Sequence, residues 1–294
     1  MARTLATTLP DGRLHLQDGP IDLVIGLEGS RSAIGDAAAR AIGAFDGLLA
    51  GLVAELPLLR APLGPDRPVL QGPVARRMAA AAWPFRAGFI TPMAAVAGAV
   101  AEEVLAALAG VPELTTAYVN NGGDIALFLA PGAGLRIGLV PHLARAVPEA
   151  LIRIGAEDPV RGIATSGWPG RSFSLGIADA VTVLAASAAA ADAAATVIAN
   201  AVDAEHPAIR RVPASSLDPD SDLGERLVTA EVGPLPQDVV EAALDAGEAR
   251  AEALLSAGLI EGAALVLGEG VRIVGAQGLL PGAASDRIGW RGLL

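Results

Sequence analysis

Apolar and polar residues alternate at the start of the chain. "RTLATTL", the turn "PDG", "RLHLQ" and "IDLVIGLE" carry the two-residue period of strands joined in a meander. The period then lengthens to that of a helix. "SAIGDAAARAIGAFDGLLAGLVAEL" reads as one long helix with Ser32 as its cap, ended by the Pro- and Gly-rich residues 57–72. A second helix follows in "VARRMAAAA". After the breaker "WPFRAGFITP", a third runs from behind Pro92 to Gly110. Short strands are expected in "LTTAYVN", "DIALFLA", "LRIGLV", "ALIRIGA", "VRGIATS" and "AVTVLAA", followed by an alanine-rich helix. A polar loop over residues 206–223 leads to "PQDVVEAALDAGEARAEALLSAG", a helix stopped by Gly258, and "AALVLG" and "VRIVGA" close the chain as strands. The pattern predicts an α+β fold in a single domain, residues 1–294.

One segment departs from its apolar surroundings. In "ADAAATVIANAVD", residues 191–203, the polar residues Asp192, Thr196, Asn200 and Asp203 recur at helical steps. At about 100° per residue they fall within roughly 80° of one another. A helix apolar nearly all round is buried, so this stripe needs partners. One reading is a ligand site. The other makes Asp192 a helix cap and bonds the Thr196 hydroxyl to the carbonyl four residues back. Asn200 and Asp203 are expected to satisfy neighbouring loops.

Composition removes several classes of function. The 294 residues are 52% hydrophobic, enough for a sizeable core. The glycines and prolines are scattered rather than periodic, which argues against disorder and against a solenoid. An aromatic share of 3% and a net charge of −11 argue against nucleic acid as a partner. With no cysteine, disulfides, thiolate metal sites and a cysteine nucleophile are excluded. No uncharged apolar run reaches the roughly 18–20 residues that span a bilayer, and the first residues show no charged-then-apolar leader. The expectation is a cytoplasmic protein without a membrane partner. There is no G-x-S-x-G elbow, P-loop or H-E-x-x-H, and His15, His142 and His206 show no paired metal spacing.

Small and polar residues also stand where a plain sheet would carry valine. "NNGGD" comprises Asn120, Asn121, Gly122, Gly123 and Asp124, and "GIATSG" ends in Thr165, Ser166 and Gly167. Each alone is ambiguous between a turn or strand end and a close backbone approach to a ligand. Together, and in this order with "ADAAAT", they resemble the ApbE superfamily of flavin transferases, and more closely its shorter ApbE-like branch. The resemblance covers residues 92–203. It implies a T-fold-type architecture of mixed and antiparallel sheets covered by helices. It also implies that Asp192 and Thr196 hold Mg2+ with a backbone carbonyl, and that residues 120–124 and 165–167 contact a flavin nucleotide, FAD. The chemistry agrees, because magnesium takes oxygen donors and is commonly shared with substrate phosphates. Two unit charges at about 4 Å repel by roughly 4 kcal/mol at an effective dielectric of about 20. An acidic protein that binds pyrophosphate therefore needs a counter-cation.

The sequence also departs from the family. Where family transferases carry a histidine and a "dPrTG" run, this chain has "WPGRSFSLGIADA", without histidine, and Ala97 takes the place of the family lysine. Asp179 is the nearest titratable replacement as catalytic base, with Ser172 and Ser174 as ligand contacts. Two classes of function follow. One is a magnesium-dependent enzyme that transfers FMN to a flavoprotein target or cleaves the pyrophosphate of FAD. The other is a non-catalytic flavin- or nucleotide-binding accessory of a redox enzyme. Either is compatible with a homodimer.

Overall fold

The computed structural model describes residues 4–139, 150–275 and 279–281. The expected meander is β1 (Leu5–Thr8), β2 (Leu14–Asp18) and β3 (Ile21–Gly29). A largely helical stretch follows: α1 (Arg31–Phe45), α2 (Leu48–Ala54), the short α3 (Leu56–Leu59), α4 (Pro73–Ala82) and α5 (Val96–Ala106). Next come β4 (Leu114–Asn121), β5 (Asp124–Leu129), β6 (Gly134–Leu139), β7 (Ala150–Gly155), β8 (Gly162–Ser166) and β9 (Ala180–Ala185). The alanine-rich helix is α6 (Ala188–Ala201). After it lie β10 (Ile209–Pro213), the one-turn α7 (Ala214–Leu217), β11 (Leu227–Val232), α8 (Gln237–Ser256), β12 (Gly262–Leu267), β13 (Gly270–Gly275) and β14 (Leu279–Pro281).

The architecture is α+β. Nine strands form one antiparallel sheet in the order β1-β2-β3-β4-β5-β8-β9-β12-β13. Helices α1, α4, α5, α6 and α8 contribute to the core on one face. On the other face Ile125, Leu127, Ile163 and Leu184 pack against Ile137, Ile152 and Ile154 of the small sheet β14-β7-β6. Double cover explains why every residue of β9 is buried, whereas the edge strand β13 alternates.

Three expectations need correction. The long first helix is interrupted at Asp46 and Gly47, where Gly47 adopts φ 74°, and its cap is Ser30, which accepts from the Ala33 N–H, rather than Ser32. The polar loop over residues 206–223 contains β10 and α7, and β10 pairs with β11 in a separate ribbon. The stretch Arg31–Ala54 has the length and mean apolarity of a membrane span, although it is not an uncharged run, carrying Arg31, Asp36, Arg40 and Asp46. In the fold, Ala33, Ala37, Ala41 and Phe45 of that stretch are buried in the core.

The small side chains of α6 let backbones approach closely. A Cβ on Gly98 of α5 would land on the Ala188 carbonyl, and one on Gly162 of β8 would land on the Ser187–Ala188 backbone. Backbone cannot rotate away as a flexible side chain can. Gly98→Ala is therefore expected to destabilise the fold by about 2–3 kcal/mol. Denaturant titration checks this, and unchanged stability would mean that α5 and α6 are not in backbone contact.

Candidate functional site

The start of α6 is capped by Ser187, whose hydroxyl accepts from the Ala190 N–H at 3.3 Å. Asp192 lies in the second turn and is not the cap of its own helix. Instead its Oδ2 accepts from the Gly98 N–H at 3.0 Å, in the first turn of α5. N–H groups there lack intrahelical partners and sit at the positive end of the helix dipole, so a carboxylate is well placed. Asn121 ties the glycine turn to the same place, donating from Nδ2 to the Ala97 carbonyl at 3.2 Å. Asp124 begins β5, and its Oδ1 accepts from the Thr165 N–H at 3.2 Å. Contacts spanning 24, 41 and 94 residues of sequence thus gather all three motifs around the start of α5. Independent turns would not converge in this way, so the place is the candidate site.

Electrostatics sets two carboxylates of this place apart. Burial pushes the Asp124 carboxyl up to about 7, against the opposing pull of the Thr165 N–H. Asp192 keeps some surface access, yet its carboxyl is raised well above the ordinary carboxylate range. Burial is the main cause and the charge of Asp124 adds to it, while the N–H groups of Gly98 and Ala97 work in the other direction. Two such carboxylates resist being charged together unless a cation joins them. One turn along α6, Thr196 is half-buried, and among the described residues its hydroxyl has no hydrogen-bond partner. The bond to the carbonyl four residues back is not made. Two carboxylates, a hydroxyl and the Ala97 carbonyl are oxygen donors of the kind magnesium takes. Among the described residues no group of three or more His, Cys, Asp or Glu side chains could hold a metal. An ion held by these oxygens would draw the rest of its shell from water or ligand phosphate.

The remaining candidates divide. Asn120 Oδ1 accepts from the Gly123 N–H at 2.8 Å, holding a turn in which Gly122 and Gly123 have φ 65° and 113°. Thr165 brings its N–H to Asp124, but its hydroxyl bonds that of Thr182 at 2.8 Å. Strand alternation puts that hydroxyl on the face of Ile163, away from α6, and the half-buried Ser166 on the α6 face. A Cβ on Gly167 would strike the Asp179 carbonyl, so this glycine serves close packing. Asp179 itself accepts from Trp168 Nε1 at 3.1 Å and from the Gly268 N–H at 2.7 Å, which engages both its oxygens. Ser174 donates to Asn200 Oδ1 at 3.2 Å, while Ser172 is exposed. Asn200 thus serves the loop ahead of β9, and Asp203, beyond the end of α6, pairs with Arg211. His15 pairs with Asp22, and His206 accepts from the Ala208 N–H. His142 lies outside the described residues.

A family model described as AbpE bacteria matches residues 6–275. The chain belongs to this ApbE-like bacterial family. A UPF0280 protein of Methanopyrus kandleri is 46% identical over 137 residues, 46% of this chain and 51% of that protein. A UPF0280 protein of Methanospirillum hungatei is 39% identical over 134 residues, 45% and 52% of the two chains. The chain spans about half the length of these relatives. The apo flavinyl transferase ApbE of Pseudomonas stutzeri aligns over 93% of this chain and 96% of its own, with 15% identity and a TM-score of 0.39.

Within this ApbE-like chain, the motif reading gave Asp124 a different part and passed over Arg171. Asp124 was grouped with the nucleotide contacts, whereas the structure makes it the second carboxylate beside Asp192. The signal was present, as an acid directly after two glycines, but sequence spacing could not pair it with a residue on α6. Arg171, in the loop between β8 and β9, lies against the glycine turn with Nη1 at 3.2 Å from the position of a Gly122 Cβ. A lone loop arginine carries no periodic signal.

Proposed function

We propose that the chain binds FAD through a magnesium ion held by Asp192, Thr196 and Asp124, and cleaves its pyrophosphate or transfers its FMN part. One observation carries this reading: two buried carboxyls are both raised, Asp192 partly by the charge of Asp124, and one turn along α6 from Asp192 stands a hydroxyl without a described protein partner. Family membership and the flavinyl-transferase name of the P. stutzeri protein make a flavin nucleotide the ligand to test. An ion there would neutralise phosphate charge and assist departure of AMP. The residues themselves would bind and orient. The α5 start fixes Asp192, the Thr165 N–H fixes Asp124, and the glycine turn admits the ligand close to backbone.

A second reading, a binding accessory without turnover, is favoured by Asp179. Both its oxygens are occupied by Trp168 and Gly268, so it is poorly placed to accept a proton from a target hydroxyl. Incubating the purified chain with FAD and magnesium and measuring AMP separates the two: turnover supports the enzyme, and binding without AMP supports the accessory. FAD affinity unaffected by a chelator would remove the metal from both.

A further inference from the structure

We propose that Arg171 and the Gly122/Gly123 turn form an anion subsite that takes a phosphate group of the nucleotide; the inference rests on the nucleotide-binding reading above. Arg171 lies in the loop "WPGRS" after β8, exposed at its residue surface. Its Nη1 stands 3.2 Å from where a Cβ on Gly122 would be, so the guanidinium rests over that turn. Its one described hydrogen bond runs from Nη2 to the Pro20 carbonyl at 3.2 Å, between β2 and β3. No carboxylate among the described residues pairs with it, whereas Arg77, Arg211 and Arg272 each engage two.

With only Nη2 engaged, by the Pro20 carbonyl, the guanidinium keeps Nη1 and Nε for another acceptor. The turn supplies the complementary wall. A Cβ at Gly122 would press on the Arg171 guanidinium at 3.2 Å, while a Cβ at Gly123 would meet nothing within 4 Å. The space beside the arginine is therefore open, and Asp124 follows directly at its base. A planar fork of N–H donors suits a phosphate, which accepts two parallel bonds. Arg171 would bind the phosphate at the turn, and Asp124 and Asp192 would hold the cation that offsets the remaining charge.

The competing account makes Arg171 a tether that pins its loop to Pro20. Arg171→Met and Arg171→Lys separate the two, with FAD and ADP as probes in the presence of magnesium and magnesium alone as the control. Arg171→Met is expected to weaken FAD and ADP about tenfold to a hundredfold. Magnesium binding without nucleotide should stay at the parent value, because Arg171 offers the cation no ligand. Arg171→Lys should recover part of the affinity, keeping the charge but not the fork. If the parent binds FAD and both variants bind FAD and ADP as tightly, the subsite is overturned and the metal site stands. Equal loss of magnesium and nucleotide in Arg171→Met means the loop has collapsed, and also overturns it. A parent that binds neither nucleotide with magnesium removes the nucleotide-binding reading and this inference together.

Discussion

In Asp192→Asn, magnesium-dependent FAD binding should fall at least about a hundredfold, since loss of even an outer-shell partner costs about 10–100-fold at metal sites. The fold should survive, because asparagine keeps an oxygen that can accept the Gly98 N–H and so still anchors the start of α5. Without metal, the variant should melt above the parent at neutral pH, since a carboxylate that burial and Asp124 both disfavour has been replaced by a neutral amide. A role limited to positioning α5 predicts the reverse pattern: unchanged metal binding and unchanged melting. Thr196→Val extends the comparison. A structural hydroxyl would cost about 1 kcal/mol on removal. The Thr196 hydroxyl has no described protein partner, so stability should hold while magnesium affinity drops. Melting curves and magnesium titrations of both variants decide the matter, and parent-like metal binding in both would end the ligand assignment.

The parts of this site that could be read in the sequence are those with a period or a motif. The four-residue step from Asp192 to Thr196 put both on one face of a helix, and α6 is that helix. The glycine turn and the end of β8 were recognisable by residue type, and their meeting with α6 followed from motif order. Asn200 and Asp203 do serve neighbouring segments, yet Asp203 is not on the stripe's helix, because the chain turns away at Val202 with ψ 90°. The ribbon of β10 and β11 was missed for a physical reason. "IRRVP" has adjacent arginines and a proline, and its mixed exposure comes from pairing with one partner outside the main sheet. The break at Gly47 was hidden because apolar spacing resumes after it, and the cap was placed two residues late, at Ser32 instead of Ser30. Asp124 and Arg171 needed three dimensions. Their importance lies in what stands opposite them.

The metal-free protein should lose stability as pH rises, and magnesium should abolish that loss. Asp124 titrates at about 7 in the fold against 3.8 for an ordinary aspartate, and Asp192 is shifted in the same direction. The folded state therefore holds protons that the unfolded chain has already released. Stability from this pair is fully present below about pH 4 and declines as pH climbs through about 7. At 1.36 kcal/mol per unit, the Asp124 shift alone corresponds to a loss on the order of 4 kcal/mol. A bound divalent cation replaces those protons, and its binding should release them. The gain in melting temperature from magnesium should thus be small near about pH 5 and large near about pH 8. Asp124→Asn, which cannot ionise, should remove Asp124's share of that decline and leave the share of Asp192. Melts across this range, with chelator and with excess magnesium, test the pair directly. A metal-free profile already flat between about pH 4 and pH 8 would show that neither carboxyl is raised in the fold, and the case for a cation between them would fall with it.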